Sequence, residues 1–342
     1  MLSKYPPIIS VILPVFNGED HLAECIESIL HQTYTNFEFI IVDDASTDNT
    51  PKILKKYSRQ DERIKIITNL VNQKQTISAN IACKNAVGKY LARMDADDIA
   101  LPIRFEKQFA FLEANPITGI VGSWTDIISD NGQILGQWKT SAKHEVLIWD
   151  LLFGASFAHS SVMIRKDSIE QVGFYQLSQA EDYDLWSRIS RIASIANIPE
   201  VLQQKRVWDG QLAHRVVLKN QECHLQIMKN NMQELLSESE IDSDLVKAIY
   251  SAIEKNQSEI ESYRLAKAIS LINKLYDTCN SKIDLLREER NKLKIDLFQL
   301  LNQFATWQRS SNIFLSIAQK MSLAFRFPKL FIYSAIQNIK NN

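Results

Sequence analysis

Three acidic clusters lie where the chain leaves a predicted strand or enters a predicted helix. In chain order, they are Asp43 and Asp44 after the apolar run FEFIIV, then Asp95, Asp97 and Asp98 after KYLARM, and finally Glu181 and Asp182 at the start of EDYDLWSRI. Carboxylates that converge repel one another, and a hard divalent cation such as Mg²⁺ or Mn²⁺ removes that cost by accepting their oxygens as ligands. Each cluster alone is more typical of a solvated turn, because aspartate is common in turns and caps. Three clusters in one topology favour a cation site that also takes a substrate phosphate.

The elements that must position these clusters alternate in type over the first 210 residues. The β-rich runs predict strands at 8–15, 37–42, 64–68 and 90–94, and helical patterns predict helices near 20–32, 51–59, 77–87 and 103–114. This alternation is typical of a mostly parallel sheet with crossover helices. Thr50 is predicted to cap the second helix, with Pro51 at its first position. Right-handed crossovers would align the carboxyl ends of the strands at one edge of the sheet, where open α/β sheets bind ligands.

Four longer motifs follow one another along the chain and together carry a family resemblance. They are SVILPVFNGEDHLAECIESILHQTYTNFEFIIVDDASTDNT, NAVGKYLARMDADDIALPIRFEKQ, HSSVMIRK and GFYQLSQAEDYDLWSR. In this order they resemble the family 2 glycosyltransferases over about residues 8–211. The resemblance implies an α/β architecture, the GT-A fold, with a Rossmann-like mixed sheet and flanking helices. An α-helical C-terminal region is expected to follow it.

The resemblance implies a nucleotide pocket at the ends of the first two strands. Its residues are Pro14, Phe16 and Asp44, with the Asp44 carboxylate accepting a hydrogen bond from the edge of the base. Arg104 is a candidate for supporting the donor diphosphate or for pairing with the acidic cluster, and the alternative is an ordinary arginine on a helix surface. Many family members have a glycine where this chain has Lys74. Because lysine adopts positive φ less readily, we expect a reshaped loop there.

The resemblance also assigns a metal motif and a base. Asp95 and Asp97 match the D-x-D that holds the ribose and a divalent ion, Mn²⁺ or Mg²⁺, on the donor diphosphate, and Asp98 adjoins them as a further metal residue. Asp182 matches the catalytic base. An inverting transfer needs such a carboxylate to take the proton of the acceptor hydroxyl while its oxygen attacks the anomeric carbon in line. The metal would neutralise the charge that grows on the leaving group.

The implied activity is the metal-dependent, inverting transfer of a sugar from a nucleotide sugar, a UDP-sugar, to a carbohydrate or lipid-linked acceptor in surface polysaccharide biosynthesis. Two alternatives stay open. A nucleotidyltransferase shares the nucleotide-binding topology, although no glycine-rich phosphate loop follows the first strand. A catalytically silent scaffold of a membrane-associated glycan assembly is the other. The segment QQKRVW has the Gln203 and Arg206 of the processive members' Q-x-x-R-W motif but Val207 in place of tryptophan, and this spacing is interpreted as coincidence.

Composition excludes several classes of protein. A chain of 342 residues with 45% hydrophobic and 23% charged residues suits a folded protein of roughly two domains. The net charge of −1 provides no global field for a nucleic acid partner. The four cysteines include no C-x-x-C pair, which argues against zinc ligation and a disulfide framework. No apolar run approaches the ~20 residues that span a bilayer. We therefore expect a cytoplasmic protein.

The C-terminal part of the chain changes character after Gly210. No glycine occurs beyond it, which predicts a catalytic domain over 1–210 and a helical region over 211–307. Coiled-coil-like heptads over 262–307 predict either a homodimer or a helix packed within its own chain. The tail 308–342 contains basic and aromatic residues but no acidic ones. This pattern predicts peripheral contact with the cytoplasmic membrane face, and burial against the catalytic domain is the alternative.

Overall fold

Strands and helices alternate through the N-terminal part of the computed structural model, which describes residues 6–207, 217–237, 241–253, 262–282 and 287–307. Within these ranges the strands are β1 Ile9–Val15, β2 Phe37–Asp43, β3 Ile64–Thr68, β4 Tyr90–Arg93, β5 Ile99–Ala100, β6 Thr118–Ile128, β7 Ile134–Trp138, β8 Met163–Arg165 and β9 Ser194–Arg206. The helices up to residue 207 are α1 Leu22–Leu30, α2 Thr50–Gln60, α3 Lys74–Asn85, α4 Arg104–Ala114, α5 His144–Asp150, α6 Lys166–Gln171 and α7 Glu181–Ile189. The predicted strands and helices are thereby confirmed, apart from their exact ends.

One mixed sheet contains all the strands of the described residues, in the order β3-β2-β1-β4-β8-β6-β9-β5, with β7 paired to β6. The first four strands along the chain are mutually parallel. The short strand β8 is antiparallel to β4 and β6, and β9 is parallel to β6. Strands β1 and β2 are buried along their whole length, as expected for parallel strands covered on both faces. The sheet therefore carries the carboxyl ends of β1, β2 and β4 to one edge.

The start of α2 differs from the prediction. Thr50 is the first helical residue and Asn49 precedes it as the cap, and no side-chain cap bond is formed. The Thr50 hydroxyl instead accepts a hydrogen bond from the Gly18 backbone N–H at 2.8 Å. This contact between the β1–α1 and β2–α2 connections is a tertiary bond, which a local capping pattern does not predict.

Gly88 provides a test of how tightly the sheet is packed. A Cβ atom added there would lie 2.7 Å from the Ser10 backbone N and 2.8 Å from the Ile9 carbonyl carbon, both in a central strand that cannot give way. We therefore expect Gly88→Ala to lower the free energy of unfolding by about 1–3 kcal/mol, as measured by urea denaturation. The matched control is Gly136→Ala, where nothing lies within 4 Å of the added atom. Equal effects of the two substitutions would contradict the packing argument.

The chain divides into two compact units, residues 1–224 and 225–342. The helices from residue 217 onward are α8 Val217–Leu236, α9 Ser243–Ile253, α10 Ser262–Lys282 and α11 Arg287–Trp307. A helical C-terminal region is thus confirmed. The division into 1–210, 211–307 and 308–342 stays a prediction.

The heptad positions of the C-terminal unit are covered from within the same chain. Helices α9, α10 and α11 contact one another. The predicted seam residues Ile272, Cys279, Leu293 and Leu297 are buried there. Packing inside one chain, the alternative to a coiled-coil dimer, therefore accounts for these positions, and the homodimer stays a prediction.

The membrane predictions concern two different parts of the chain. Across the described ranges, every helix is too short or too polar to cross a bilayer. The tail 308–342, which carries the prediction of peripheral contact, lies outside the described residues.

Candidate active site

The residues predicted to form a nucleotide pocket lie at the ends of β1 and β2. Pro14 is buried within β1 and is paired with Val42 of the neighbouring strand. Phe16 follows the last residue of β1, and its side chain is 50% exposed. Asp44 follows the end of β2, and its backbone N–H donates to the Val15 carbonyl at 2.8 Å. An exposed aromatic ring beside the sheet edge can stack on a flat ligand.

The Asp44 carboxylate holds the connection between β3 and α3. Its Oδ1 accepts from the Asn69 side-chain amide at 2.7 Å and from the Gln73 backbone N–H at 2.8 Å. Its Oδ2 accepts from the Lys74 backbone N–H at 2.8 Å. The carboxyl group is only 3% exposed. This side chain therefore organises the protein loop first, and most of its accepting capacity is already used within the chain.

The backbone at Lys74 has a conformation that favours glycine. Lys74 has a φ of 75°, the left-handed conformation that a glycine would adopt there without strain. The charge-assisted bond from its N–H to Asp44 offsets this strain. The reshaping of this loop relative to other family members stays a prediction.

A glycine at position 74 should relieve that strain. We expect Lys74→Gly to raise the free energy of unfolding by about 0.5–1 kcal/mol, because glycine adopts positive φ without a Cβ clash. Urea denaturation measures the change. Lys84→Gly, in the last turn of α3, is the matched control and should lower stability by about 1 kcal/mol. A loss of stability in both variants would contradict the strain at Lys74.

Residues 95–98, the acidic loop, follow β4, and their carboxylates point in different directions. Asp95 and Asp97 are partly exposed, whereas Asp98 is 1% exposed. Asp98 accepts hydrogen bonds from the Ser160 hydroxyl and, at 2.9 Å, from the Arg206 backbone N–H. Burial and the charges of Asp97 and Asp95 raise the pKa of Asp98 to about 8. This corrects the prediction that Asp98 binds the metal, because its carboxyl group faces the protein interior.

Arg104 is also in the interior. It is 0% exposed, and its guanidinium donates to the Gln203 side chain at 2.8 Å and to the Arg93 and Val162 carbonyls at 2.9 and 3.2 Å. Burial lowers the pKa of Arg104 to about 9. The prediction that Arg104 contacts the donor diphosphate is therefore corrected. This arginine connects α4, β4 and β9 beneath the acidic loop.

Strand β9 braces the acidic loop with a residue that the sequence interpretation left without a role. The buried guanidinium of Arg206 donates to the Asp97 carbonyl at 2.9 Å and to the Glu24 carboxylate at 2.6 Å. The Gln203–Arg206 spacing, interpreted as coincidence, therefore has a structural basis. The signal available in the sequence was the Q-x-x-R spacing itself, two and five positions after Val201 at the end of a predominantly β-type segment.

Two cations flank Asp95. The fully buried Arg93 forms an ion pair with it at 2.7 Å. Lys205 follows Gln203 on β9 by two residues, so the two side chains lie on the same face of the strand. The Gln203 side chain contacts Met94, and Lys205 is therefore on the side of the acidic loop, one step nearer to it. Burial opposes the ionisation of Asp95, but the charges of Arg93 and Lys205 keep its pKa below the usual range. Asp95 is therefore an anion at neutral pH.

The predicted base lies at the start of α7. Asp182 is partly exposed in the first helical turn, and its Oδ1 accepts from the Tyr183 backbone N–H at 2.8 Å. Beside it, burial and the charge of Asp182 raise the pKa of Glu181 to about 7. An ionised carboxylate has two accepting oxygens, and the Tyr183 N–H bonds one of them. Asp182 can therefore accept a proton from a group bound in front of the helix.

His159 lies next to Ser160, whose hydroxyl donates to Asp98 of the acidic loop. Its Nε2 lies 2.9 Å from the Tyr175 hydroxyl, and its Nδ1 lies 3.9 Å from a Glu181 carboxylate oxygen. Burial and the charge of Arg93 lower the pKa of His159 to about 4, while the charges of Asp95 and Asp182 both act to raise it. The imidazole is therefore neutral at neutral pH. Because Ser160 bonds Asp98 and the adjacent His159 lies beside Glu181, residues 159–160 link the acidic loop to the start of α7, which carries the predicted base.

The carboxylates of the acidic loop suit a divalent ion that binds together with a phosphate-containing ligand. In the part of the chain that the structure describes, no three His, Cys, Asp or Glu side chains form a cage for a metal. Mg²⁺ usually takes one or two protein carboxylates and completes its shell with substrate phosphates and water. Asp95 and Asp97 provide two partly exposed carboxylates, which match that donor set. Their negative charges also raise the pKa of Asp98, and a cation would reduce this repulsion.

Comparison with known proteins identifies similar sequences. Residues 10–173 match the family model described as glycosyl transferase family 2. The chain is 35% identical over 254 residues to an uncharacterized glycosyltransferase of Haemophilus influenzae, covering 71% of this chain and 79% of that protein. It is 36% identical over 184 residues to the O-antigen biosynthesis glycosyltransferase WbnJ of Escherichia coli, covering 53% of this chain and 71% of WbnJ.

Two solved structures have a similar fold. The structure of S. aureus TarS 1-349 in complex with UDP-GlcNAc aligns with a TM-score of 0.58 at 17% identity, covering 93% of this chain and 91% of TarS. The mannosyltransferase PcManGT from Pyrobaculum calidifontis, in complex with GDP-Man and Mn²⁺, aligns with a TM-score of 0.50 at 15% identity, covering 99% of this chain and 89% of PcManGT. At these identities the likeness concerns the fold.

Proposed function

Because the chain belongs to glycosyl transferase family 2 and has the GT-A fold, we propose that it is an inverting, metal-dependent enzyme that transfers a sugar from a nucleotide sugar to a carbohydrate or lipid-linked acceptor. The observation that carries this proposal is that the neighbouring residues Ser160 and His159 contact both the acidic loop, at Asp98, and the start of α7, at Glu181. A family 2 enzyme needs its metal motif and its base on the two sides of one reaction centre.

The donor binds at the end of β1 and β2 in this proposal. Phe16 provides an exposed ring for the base, and Pro14 and the loop fixed by Asp44 form the floor of the pocket. We propose a UDP-sugar as the donor, which the TarS complex with UDP-GlcNAc supports. The GDP-Man complex of PcManGT makes GDP the nucleotide to test beside UDP.

A divalent ion, Mn²⁺ or Mg²⁺, would be held by Asp95 and Asp97 together with the donor diphosphate. When bound, it supplies positive charge that stabilises the departing diphosphate. The Mn²⁺ in the PcManGT complex supports this choice of ion. Lys205 lies on the same side of the sheet as the acidic loop. In this proposal its ammonium group adds a second positive charge near the departing diphosphate.

Asp182 acts as the base in the transfer. It accepts the proton of an acceptor hydroxyl while the acceptor oxygen forms a bond to the anomeric carbon. The bond from that carbon to the diphosphate oxygen breaks on the opposite face, so the configuration inverts and the nucleoside diphosphate leaves. The neutral His159 is buried beside Glu181 at the start of α7 and is held there by its hydrogen bond with the Tyr175 hydroxyl.

We place the acceptor in surface polysaccharide assembly at the cytoplasmic membrane face. The O-antigen role named for WbnJ supports this placement. In this proposal the basic tail 308–342 provides peripheral membrane contact and the helical C-terminal region supports a homodimer. Deleting residues 308–342 and fractionating cells tests the tail, since a shortened protein that still sediments with membranes would contradict the contact.

Calorimetry with UDP and GDP, each with and without Mn²⁺, tests the proposed donor chemistry. The proposal expects affinity for at least one of the two nucleotides that increases when Mn²⁺ is present. A panel of nucleotide sugars is then incubated with the enzyme without acceptor, and hydrolysis identifies the donor. A wild-type protein that binds neither nucleotide would favour the scaffold alternative. A nucleotide sugar that stays intact when acceptor is also present would favour a nucleotidyltransferase.

A further inference from the structure

Helix α3 makes contacts with both halves of the candidate site. At its N-terminal end, the backbone N–H groups of Gln73 and Lys74 donate to the Asp44 carboxylate, both at 2.8 Å. One and two turns further along, the helix contacts the segment that leads into Asp182. A single rigid element of twelve residues therefore joins the floor of the nucleotide pocket to the approach to the base.

That segment, residues 173–180, is here called the base loop. Three of its eight residues have φ in the left-handed region: Gly173 at 82°, Phe174 at 62° and Ala180 at 51°. Ala180 immediately precedes α7 and is two residues from Asp182. Because alanine and phenylalanine adopt positive φ only at a cost in free energy, the surrounding contacts must hold the loop in this conformation.

The beginning of the base loop is held by α7 itself. The Arg188 guanidinium donates to the Val172 carbonyl at 2.6 Å and to the Phe174 carbonyl at 2.8 Å. It is also paired with Asp184, one turn earlier in the same helix, at 2.7 Å. These contacts fix the beginning of the loop against the helix that follows it, but they do not reach its middle residues.

The middle of the base loop is held by α3. The Asn80 side-chain amide donates to the Tyr175 carbonyl at 2.8 Å, and its oxygen accepts from the Tyr175 backbone N–H at 3.1 Å. The Thr76 hydroxyl donates to the Leu177 carbonyl at 2.8 Å. Tyr175 in turn bonds His159 through its hydroxyl at 2.9 Å. The side chain of Asn80 thus occupies both backbone groups of the residue that supports the central histidine.

We propose that Asn80 and Thr76 are positioning residues that set the location of Asp182 relative to the bound donor. This inference rests on the proposed function. Removing either side chain frees the middle of a strained loop, so α7 and its base can shift with respect to the nucleotide pocket. A displacement of about 1 Å at a reacting group can lower turnover by about a hundredfold. The Asp44 end of α3 is unchanged, so nucleotide affinity should not change.

The packing of α3 does not depend on these two polar contacts. Ala79, Ala82 and Cys83 bury the inner face of the helix. The Asn69 amide also donates to the Ser78 hydroxyl at 3.0 Å. Because alanine has a higher helix propensity than asparagine, Asn80→Ala should leave α3 intact. The effect of the substitution can therefore be separated from unfolding.

The experiment measures hydrolysis of the nucleotide sugar that the wild-type enzyme hydrolyses fastest from UDP-glucose, UDP-galactose, UDP-GlcNAc and GDP-mannose. The affinity of the matching nucleoside diphosphate with Mn²⁺ is measured by calorimetry. We expect Asn80→Ala to lower kcat by about tenfold to a hundredfold and Thr76→Val by a smaller factor, with the nucleotide Kd unchanged within twofold. Thr76→Ser, which keeps the hydroxyl donor, should restore most of the turnover. Asn85→Ala, on the same helix, is the control, because its side chain bonds only within α3 in the contacts of the described residues.

The outcomes separate the positioning role from a structural one. A kcat of Asn80→Ala within twofold of wild type would overturn the inference. So would a parallel fall in kcat, nucleotide affinity and thermal stability, since that is the result expected of a merely structural contact. A wild-type protein that neither binds a nucleoside diphosphate nor hydrolyses any donor would overturn the proposed function itself.

Discussion

Replacing Asp182 with asparagine is expected to lower sugar transfer by about 10²–10⁴-fold while the nucleotide affinity stays within twofold of wild type. Asparagine has nearly the same shape and still accepts from the Tyr183 N–H, but it cannot take the acceptor proton. The donor side of the site, at Phe16 and the acidic loop, is untouched. The loss should therefore appear in kcat, measured by release of the nucleoside diphosphate, and not in calorimetric binding.

The chain offers a matched control for this substitution. Asp167 is the second residue of α6, as Asp182 is the second residue of α7, and both are acidic residues in a first helical turn. Asp167 is exposed. Asp167→Asn therefore removes the same helix-terminus interaction without touching the site. If Asp182→Asn retains activity within a few-fold of wild type, or if both variants lose activity equally, the assignment of the base is wrong.

Substitutions at two neighbouring aspartates should have very different effects. Asp97→Asn is expected to lower turnover by about 10²–10³-fold and to remove the Mn²⁺ dependence of nucleotide affinity, because it takes away a partly exposed carboxylate of the proposed metal site. Asp98→Asn is expected to keep activity within about tenfold, since a neutral amide replaces an interior carboxyl group whose pKa is raised to about 8. Hydrolysis assays over a Mn²⁺ titration measure both effects.

The comparison between these two variants distinguishes the metal site from the support beneath it. The amide of an asparagine at position 98 can still accept from the Arg206 N–H and face the Ser160 hydroxyl. Equal losses at the two positions would contradict the inward role of Asp98. An unchanged Mn²⁺ response of Asp97→Asn would contradict the proposed ligand.

Local sequence patterns were sufficient for the first four strands and most of the helices between them. Strands β1 and β2 are continuous apolar runs, and α1 buries Leu22, Cys25, Ile26 and Ile29 at helical spacing. The local pattern failed where a contact from elsewhere in the chain determines the end of a helix. Helix α3 begins at Lys74, three residues before the predicted start, because Asp44, which follows β2, accepts from the N–H groups of Gln73 and Lys74.

The order of motifs predicted that Asp95 and Asp182 belong to one site, but it did not predict the direction of every side chain. Asp98 faces inward because the Arg206 N–H, distant in sequence, approaches it from β9. Arg104 begins α4 in a segment, RFEKQF, that is as polar as many surface helices, and only the tertiary structure shows it enclosed by carbonyls from other strands. Buried polar networks depend on partners that no local period encodes.

The brace from β9 has a consequence for the order in which a growing chain acquires its site. The family match ends at residue 173, well after the D-x-D. Arg206, which donates to the Asp97 carbonyl in the acidic loop, follows Asp97 by 109 positions and lies beyond that match. A nascent polypeptide released only as far as residue 173 contains the nucleotide pocket and the D-x-D without this contact. Any contact of β9 with the acidic loop can therefore form only after residues 194–206 have been synthesised, so the loop is braced late along the growing chain.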